Sequence, residues 1–173
     1  MQIANCHAKR ERSEESRVAR ETLRSAQGDT FGAIIVATGT QEYRNGKLHR
    51  HDGRRVVTQS EFEAQFAPGS NIPPPTRPVY ILCTGLGDSH IPYCSNVCCV
   101  TALRKALRLK RLDSNMEITI LFHDLNLLGD ESNEQILRDA QHLGVHFIRY
   151  ALTNPPRVEE DFVEVREQST GLL

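Results

Sequence analysis

The chain has 173 residues, 39% of them hydrophobic and 25% charged, with 21 Lys and Arg against 22 Asp and Glu. That composition belongs to one folded domain, and the near-zero charge gives no footing for nucleic acid or an anionic membrane. No apolar run reaches the roughly 18 residues of a membrane helix, and the first residues lack the apolar stretch of a secretory signal.

Residues 1–30 are polar and rich in Arg, Glu and Ser. They read as a leader, disordered or weakly helical, with Cys6 as an incidental free thiol beside His7. Residues 31–67 form the next segment. Phe31 to Thr38 (F-G-A-I-I-V-A-T) is a short β-branched run, expected to be a buried strand closed by Gly39. His49 and His51 read as exposed loop histidines, and Val56 to Thr58 as a short strand. Ser60 to Phe66 reads as a helix with Ser60 at its N-cap and Glu63 at the capping-box spacing. Residues 68–78 hold five prolines and predict an extended connector.

Residues 79–166 carry the clearest periodicity. Val79 to Leu82 is a buried strand running into Cys83, and Thr84 to Pro92 is a loop. A helix begins near Ser95, with Val97, Val100, Leu103, Ala106 and Leu107 inward. Arg104, Lys105, Arg108 and Lys110 form its solvated face. Asp113 to Asn115 closes it. Glu117 to His123 is a strand ending at Asp124. Glu131 to Leu143 is a helix with Leu143 inward and Gly144 as its cap. Val145 to Arg149 is a strand, Asn154-Pro155-Pro156 a break, and Asp161 to Val165 a last strand. Residues 167–173 are a tail. Strand, helix, strand, helix, strand predicts an α/β, Rossmann-like fold, a parallel sheet with covering helices.

Four of the five cysteines fall in one stretch, C-T-G-L-G-D-S-H-I-P-Y-C-S-N-V-C-C, as Cys83, Cys94, Cys98 and Cys99. Clustering of this kind is unlike a secreted disulfide framework and points to a reduced compartment, the cytoplasm. Gly85-Leu86-Gly87 after one strand and Asp124 after the next imitate a nucleotide-binding unit. The third glycine is absent and cysteines occupy the helix entry, so a sulfur-held group stands where a pyrophosphate would rest. Asp124 is then a strand-end residue rather than a ribose ligand. With the helix starting near Ser95, Cys94 is its N-cap and Cys98 lies one turn on, while Cys83 ends the adjoining strand. The four sulfurs can meet at a helix N-terminus, which stabilises thiolates and anionic groups. A tetrathiolate [4Fe–4S] cluster is the leading reading. Structural zinc, a redox disulfide such as Cys98–Cys99, and four unrelated thiols are the alternatives. His90 reads as a loop residue rather than a ligand.

The segments P-V-Y-I-L-C-T-G, P-Y-C-S-N-V-C-C-V-T-A-L-R-K-A-L, I-T-I-L-F-H-D-L and G-V-H-F-I-R, in that order, resemble the A-type subunit of heterodisulfide reductase, an iron–sulfur flavoprotein. The upstream G-A-I-I-V-A-T-G and V-V-T-Q-S-E-F-E extend the likeness to about residues 31–150. The resemblance implies a thioredoxin-reductase-like flavoprotein domain with Cys83, Cys94, Cys98 and Cys99 as ligands of a [4Fe–4S] cluster. It puts Ala37, Thr38 and Gly39 near FAD, in a site left incomplete because no G-x-G-x-x-G turn is present. It implies electron transfer with B- and C-type partner subunits, or with electron-carrier proteins. Two family arginines are replaced, by Gly87 and Asn126, which removes positive charge near the cluster or flavin. The expected protein is an electron-transfer component, not an enzyme active alone, in a fragment or truncated relative of that flavoprotein. The other readings are a structural zinc- or cluster-bearing interaction module and a non-functional gene remnant. A sheet edge left unpaired would call for a partner or a homo-oligomer.

Overall fold

A computed structural model of the chain describes residues 3–4, 41–42, 49–67, 69–86, 94–129 and 131–168. The chain divides into two units, Met1–Ala4 with Glu42–Leu173, and Asn5–Gln41. The expected strand at Phe31 to Thr38, with Ala37, Thr38 and Gly39, lies outside the described residues, as do Cys6, His7, Gly87 and His90. Two-residue strands β1 (Ile3–Ala4) and β2 (Gln41–Glu42) precede the larger body of structure.

Helix α1 spans Gln59–Gln65, so its N-cap falls two residues before the expected Ser60. Thr58 is the N-cap, and its hydroxyl accepts from the Glu61 N–H at 3.2 Å. The Glu61 carboxylate in turn accepts the Thr58 N–H at 2.8 Å and the His51 ring at 2.7 Å. The box at Thr58 prevails over the one at Ser60 because this third partner holds Glu61 in place. Val56 to Thr58 is not a strand. The Asp52 carboxylate takes the N–H groups of Arg54, Arg55 and Val56 at 2.9 Å each, so the ladder donors are used locally.

The body of the fold is a three-stranded parallel sheet in the order β3 (Val79–Ile81), β4 (Thr119–Phe122), β5 (His146–Arg149). Tyr80 pairs with Ile120, and Ile120 with Phe147. The central strand is buried on both faces, with Ile118, Ile120 and Leu121 essentially inaccessible, as expected for a covered parallel sheet. The connections are α2 (Cys98–Leu112) and α3 (Glu131–His142), which pack against each other. Ala102, Leu103, Ala106 and Leu107 of α2 meet Ala140 of α3 and the β4 side chains in one core. The α/β expectation holds at this level.

Val97, expected inward, is the N-cap of α2 and 44% exposed, and three further details of the two helices differ from expectation. First, α2 starts at Cys98, not near Ser95, because Asn96 adopts a left-handed backbone (φ 57°) through which a right-handed helix cannot propagate. Second, the basic residues of α2 do not share one solvated face. Arg104 and Arg108 are exposed, but Lys105 and Lys110 are buried. Lys105 Nζ donates to the Gln59 carbonyl at 2.7 Å and pairs with Glu63 at 3.3 Å, so α1 draws it inward. Lys110 Nζ reaches the Ser114 carbonyl at 3.3 Å. Third, Leu143 is 43% exposed, because α3 has already ended. Gly144 (φ 74°) closes it in a Schellman motif: its N–H donates to the Gln141 carbonyl, and the Val145 N–H to the Ala140 carbonyl, each at 3.0 Å.

Beyond the sheet, β6 (Arg157–Val158) and β7 (Val163–Glu164) form a short antiparallel hairpin. The last strand is thus shorter than Asp161 to Val165, and its partner sits directly after the prolines that read as a break. No helix among the described residues is long and apolar enough to cross a membrane.

Candidate metal centre

All three parallel strands run toward the same edge, and each hands its next residues to one site. Cys83 follows β3, Asp124 follows β4 and Tyr150 follows β5. Crevices beyond the carboxyl ends of parallel strands are where such folds bind ligands. Cys83 takes a left-handed backbone (φ 58°) ahead of Gly85 (φ 80°), in a turn closed by Leu86 N–H on the Cys83 carbonyl at 3.2 Å. A cysteine held there carries roughly 1–2 kcal/mol of backbone strain, which the surrounding fold must hold.

Cys83, Cys98 and Cys99 are buried, and Cys94 is partly exposed; all four are free thiols. The Cys83 and Cys99 thiols both reach the carbonyl of Asp124, at 3.5 and 3.8 Å. Cys98 and Cys99 are the first two residues of α2, whose N-cap, Val97, supplies no side-chain cap. The first intrahelical bond is Thr101 N–H to the Val97 carbonyl at 3.1 Å, so the N–H groups ahead of Thr101 are free of the helix ladder. Cys94 is four residues before the helix and is not its N-cap. Its sulfur accepts the Asn96 N–H at 3.4 Å. Cys94 and Cys98 therefore do not share one helix face, and the loop, not a helical turn, sets their separation.

The electrostatics separate the sulfurs. The Cys98 thiol is lowered to about 6, first by the Cys99 thiol hydrogen-bonded to it, then by the Ser95 hydroxyl and the Cys83 backbone, against the opposing effect of burial. Cys99 is pushed up because it gives that hydrogen bond and is buried, while the Asn126 backbone partly offsets the rise. Burial also pushes Cys83 up, reinforced by the charges of Cys98 and Cys94. Of the coupled pair, Cys98 ionises first.

Four further residues frame these sulfurs; the letters assign no framing role to Asn96, Ser95 or Tyr150, and mark Asn126 only as a lost arginine. Asn126 Nδ2 donates to Asn96 Oδ1 at 2.5 Å, which ties the Cys94 loop to the loop after β4. Asn126 is the position where the family arginine is replaced. Ser95 stands beside Cys98, and Tyr150, fully buried, donates its hydroxyl to the Leu82 carbonyl at 2.5 Å just ahead of Cys83. An Asn shortly before a cysteine pair carries no sequence signal of its own; only the fold brings Asn96 to Asn126. Asp124 acts through its carbonyl, consistent with a strand-end role.

His49 and His51 are half-buried rather than exposed. His51 supports Glu61, and His49 is lowered to about 4, chiefly by burial. His49 also walls a cleft of about 700 Å³ that opens onto Cys83, Gly85, Leu86 and Tyr150. Among the described residues, no three His, Cys, Asp or Glu side chains gather into a group that could hold a metal ion.

The structure thus defines an α/β protein whose free thiols lie at the carboxyl edge of a parallel sheet. No protein-family model matches the chain, but curated relatives do. The chain is 35% identical over 145 residues to the A-type subunit of the H(2)/formate:CoB-CoM heterodisulfide,ferredoxin reductase of Methanococcus maripaludis, covering 75% of this chain and 22% of that protein. It is 33% identical over 159 residues to the iron-sulfur A-type subunit of the CoB–CoM heterodisulfide reductase of Methanocaldococcus jannaschii, covering 81% and 24%. It is 32% identical over 147 residues to a protein of Archaeoglobus profundus that is itself described as like the heterodisulfide reductase A-type subunit, covering 84% and 19%. The chain belongs to the family of heterodisulfide reductase A-type subunits. It spans about a fifth to a quarter of the length of these relatives, at 19% to 24%.

Proposed function

We propose that this chain holds a [4Fe–4S] cluster on Cys83, Cys94, Cys98 and Cys99 and relays single electrons in a heterodisulfide reductase-like assembly. The observation that supports this reading is the placement of four free thiols along one sheet edge: Cys83 after β3 and Cys99 at the uncapped start of α2 share the Asp124 carbonyl, Cys98 adjoins Cys99, and Cys94 is partly exposed in the loop ahead. The donor set is all sulfur, the chemistry a cluster of this kind requires. Such a cluster would take one thiolate from each of Cys83, Cys94, Cys98 and Cys99. A zinc ion instead draws four ligands to about 2.3 Å from one point.

When bound, the cluster supplies storage of one electron at a time; this chain makes and breaks no substrate bond. Its residues hold and tune the group. Cys83 and Cys99 give up their protons on binding, which makes loading pH-dependent. Backbone N–H groups aimed at the sulfurs stabilise added negative charge, and burial restricts water. FAD contact through Ala37, Thr38 and Gly39, docking with subunits of the B and C type, and a cytoplasmic location belong to the same proposal. The chain then works as a component, not as an enzyme by itself.

Iron and acid-labile sulfide per chain, after anaerobic purification, test the reading. About four of each with a broad brown absorption are expected. About one zinc and no iron would convert the four sulfurs into a structural clamp. Neither metal, even after reconstitution, would favour a non-functional remnant.

A further inference from the structure

Helix α2 presents one exposed stripe from its cysteine end to its far end. Val97, Thr101, Arg104, Arg108 and Arg111 recur at helical spacing on the side away from the core. The three arginines are exposed, and Val97 is 44% exposed at the end that bears Cys98. Other exposed arginines are occupied. Arg50, Arg55, Arg77, Arg138 and Arg157 each reach a carboxylate, and Arg149 the His123 carbonyl. Arg104, Arg108 and Arg111 have no such partner among the described residues. Arg54 shares that lack, but it sits in the Asp52 turn and belongs to no stripe. The helix dipole accounts for Arg111 in the last turn; it does not account for Arg104 in the middle.

The stripe leads to the most accessible part of the sulfur site. Cys94 is the one ligand candidate that is not buried. Beside it, the Asn96–Asn126 bond fixes a rim that ends in Leu128, 66% exposed. Exposed Val97 and Leu128, linked through the Asn96–Asn126 bond, together with a row of cations that have no carboxylate partner among the described residues, suit a surface for brief, oriented encounters: charge steers, and a small apolar contact seats.

We propose that this face of α2 docks an acidic electron-carrier protein, with the arginines steering it and Val97 and Leu128 seating its cofactor edge beside Cys94. The inference rests on the relay reading for its purpose, but the docking itself needs only the protein surface. A macromolecule is favoured over a small anion because the cations span the length of a helix. An acidic protein is favoured over nucleic acid because the stripe ends in an apolar patch, and the chain as a whole carries a formal charge of −1.

The test measures association of the full chain, with and without reconstituted iron and sulfide, to immobilised flavodoxin, an acidic carrier protein. The wild-type rate should fall steeply as salt rises. The R104E/R108E/R111E variant should associate about ten-fold or more slowly at low ionic strength and lose most of its salt dependence. R104Q/R108Q/R111Q should fall between, and Arg77→Glu, on a cation already paired, should match wild type. Circular dichroism checks that each variant folds. Equal low-salt rates for wild type and R104E/R108E/R111E overturn the proposal, as does retention of duplex DNA or anionic vesicles in place of flavodoxin. If the metal-free chain shows the arginine dependence and no cluster can be loaded, the docking surface stands and the relay reading falls.

Discussion

The two crossovers of the parallel sheet contain the same parts and treat their helix starts in opposite ways. The second, from β4 through α3 to β5, follows local rules: Glu131 and Glu134 occupy the first turn, where their charge suits the dipole, and Gly144 closes the helix. The first, from β3 through α2 to β4, breaks them. It has no acidic residue in the first turn and no side-chain cap, and two of its non-glycine residues, Cys83 and Asn96, are left-handed. Both helices nonetheless pack into the same core. Of the described non-glycine residues in these crossovers, the left-handed ones are a sulfur ligand candidate, Cys83, and a neighbour of the cysteine pair, Asn96, which is where a fold departs from its own preferences when a site has to be shaped.

Substitution at the irregular helix start gives the largest expected effect. Cys98→Ser should drop iron from about four per chain to less than about one after reconstitution, while Cys6→Ser should leave the content unchanged. Equal iron in the two variants would remove the first crossover's claim to a site. The next effect compares the helices as packing elements. Leu103→Ala, at a fully buried position of α2, should cost about 2–5 kcal/mol in urea unfolding. Ile136→Ala, at a half-buried position of α3, should cost less than about 2 kcal/mol. A reversed order would mean that α2 is not the main covering helix. Below these comes Gly144→Ala. The added methyl has space, its nearest neighbour being Lys110 Nζ at 3.9 Å. The left-handed backbone at φ 74° should still cost about 1–2 kcal/mol, with iron content untouched. Loss of iron in that variant would show that the regular crossover also shapes the site.

The contrast also explains what could be read from the sequence. The regular parts were legible because local signals and packing agree there: the runs Val79 to Leu82, Glu117 to His123 and Val145 to Arg149 contain β3, β4 and β5, and Gly144 was the cap it promised to be. The irregular parts were not. Asn tolerates a left-handed backbone, but the letters do not say that Asn96 adopts one, and that one dihedral moves the helix start from Ser95 to Cys98 and removes Cys94 from its cap. Lys105 looked solvated because periodicity sees one helix, whereas its burial comes from the Gln59 carbonyl of another. At α1 two overlapping capping boxes were possible, and the choice between them rests on His51. The clustering of four cysteines was visible in the sequence, but the direction in which each thiol is shifted depends on Cys99, Ser95 and the Asp124 carbonyl, which only the fold brings near.

The smallest expected effect lies outside both crossovers, in the cleft wall, and it separates acid sensitivity of the fold from acid sensitivity of the sulfur site. His49 is lowered from 6.5 to about 4, mainly because burial disfavours the charged ring. Between those values the unfolded chain binds a proton that the folded chain does not, so stability contributed by the neutral ring is complete above about 6.5 and is lost as pH falls toward 4. Water screens a half-exposed ring, so the loss should be about 1 kcal/mol rather than the full value of the shift. His49→Asn keeps a residue that tolerates the left-handed backbone at φ 55° and removes the titration. Urea midpoints of the metal-free protein should therefore fall less steeply for His49→Asn than for wild type between pH 6.5 and 4, and the two slopes should coincide above that window. Identical slopes throughout would move the origin of acid sensitivity from the cleft wall to the other titrating groups of the fold.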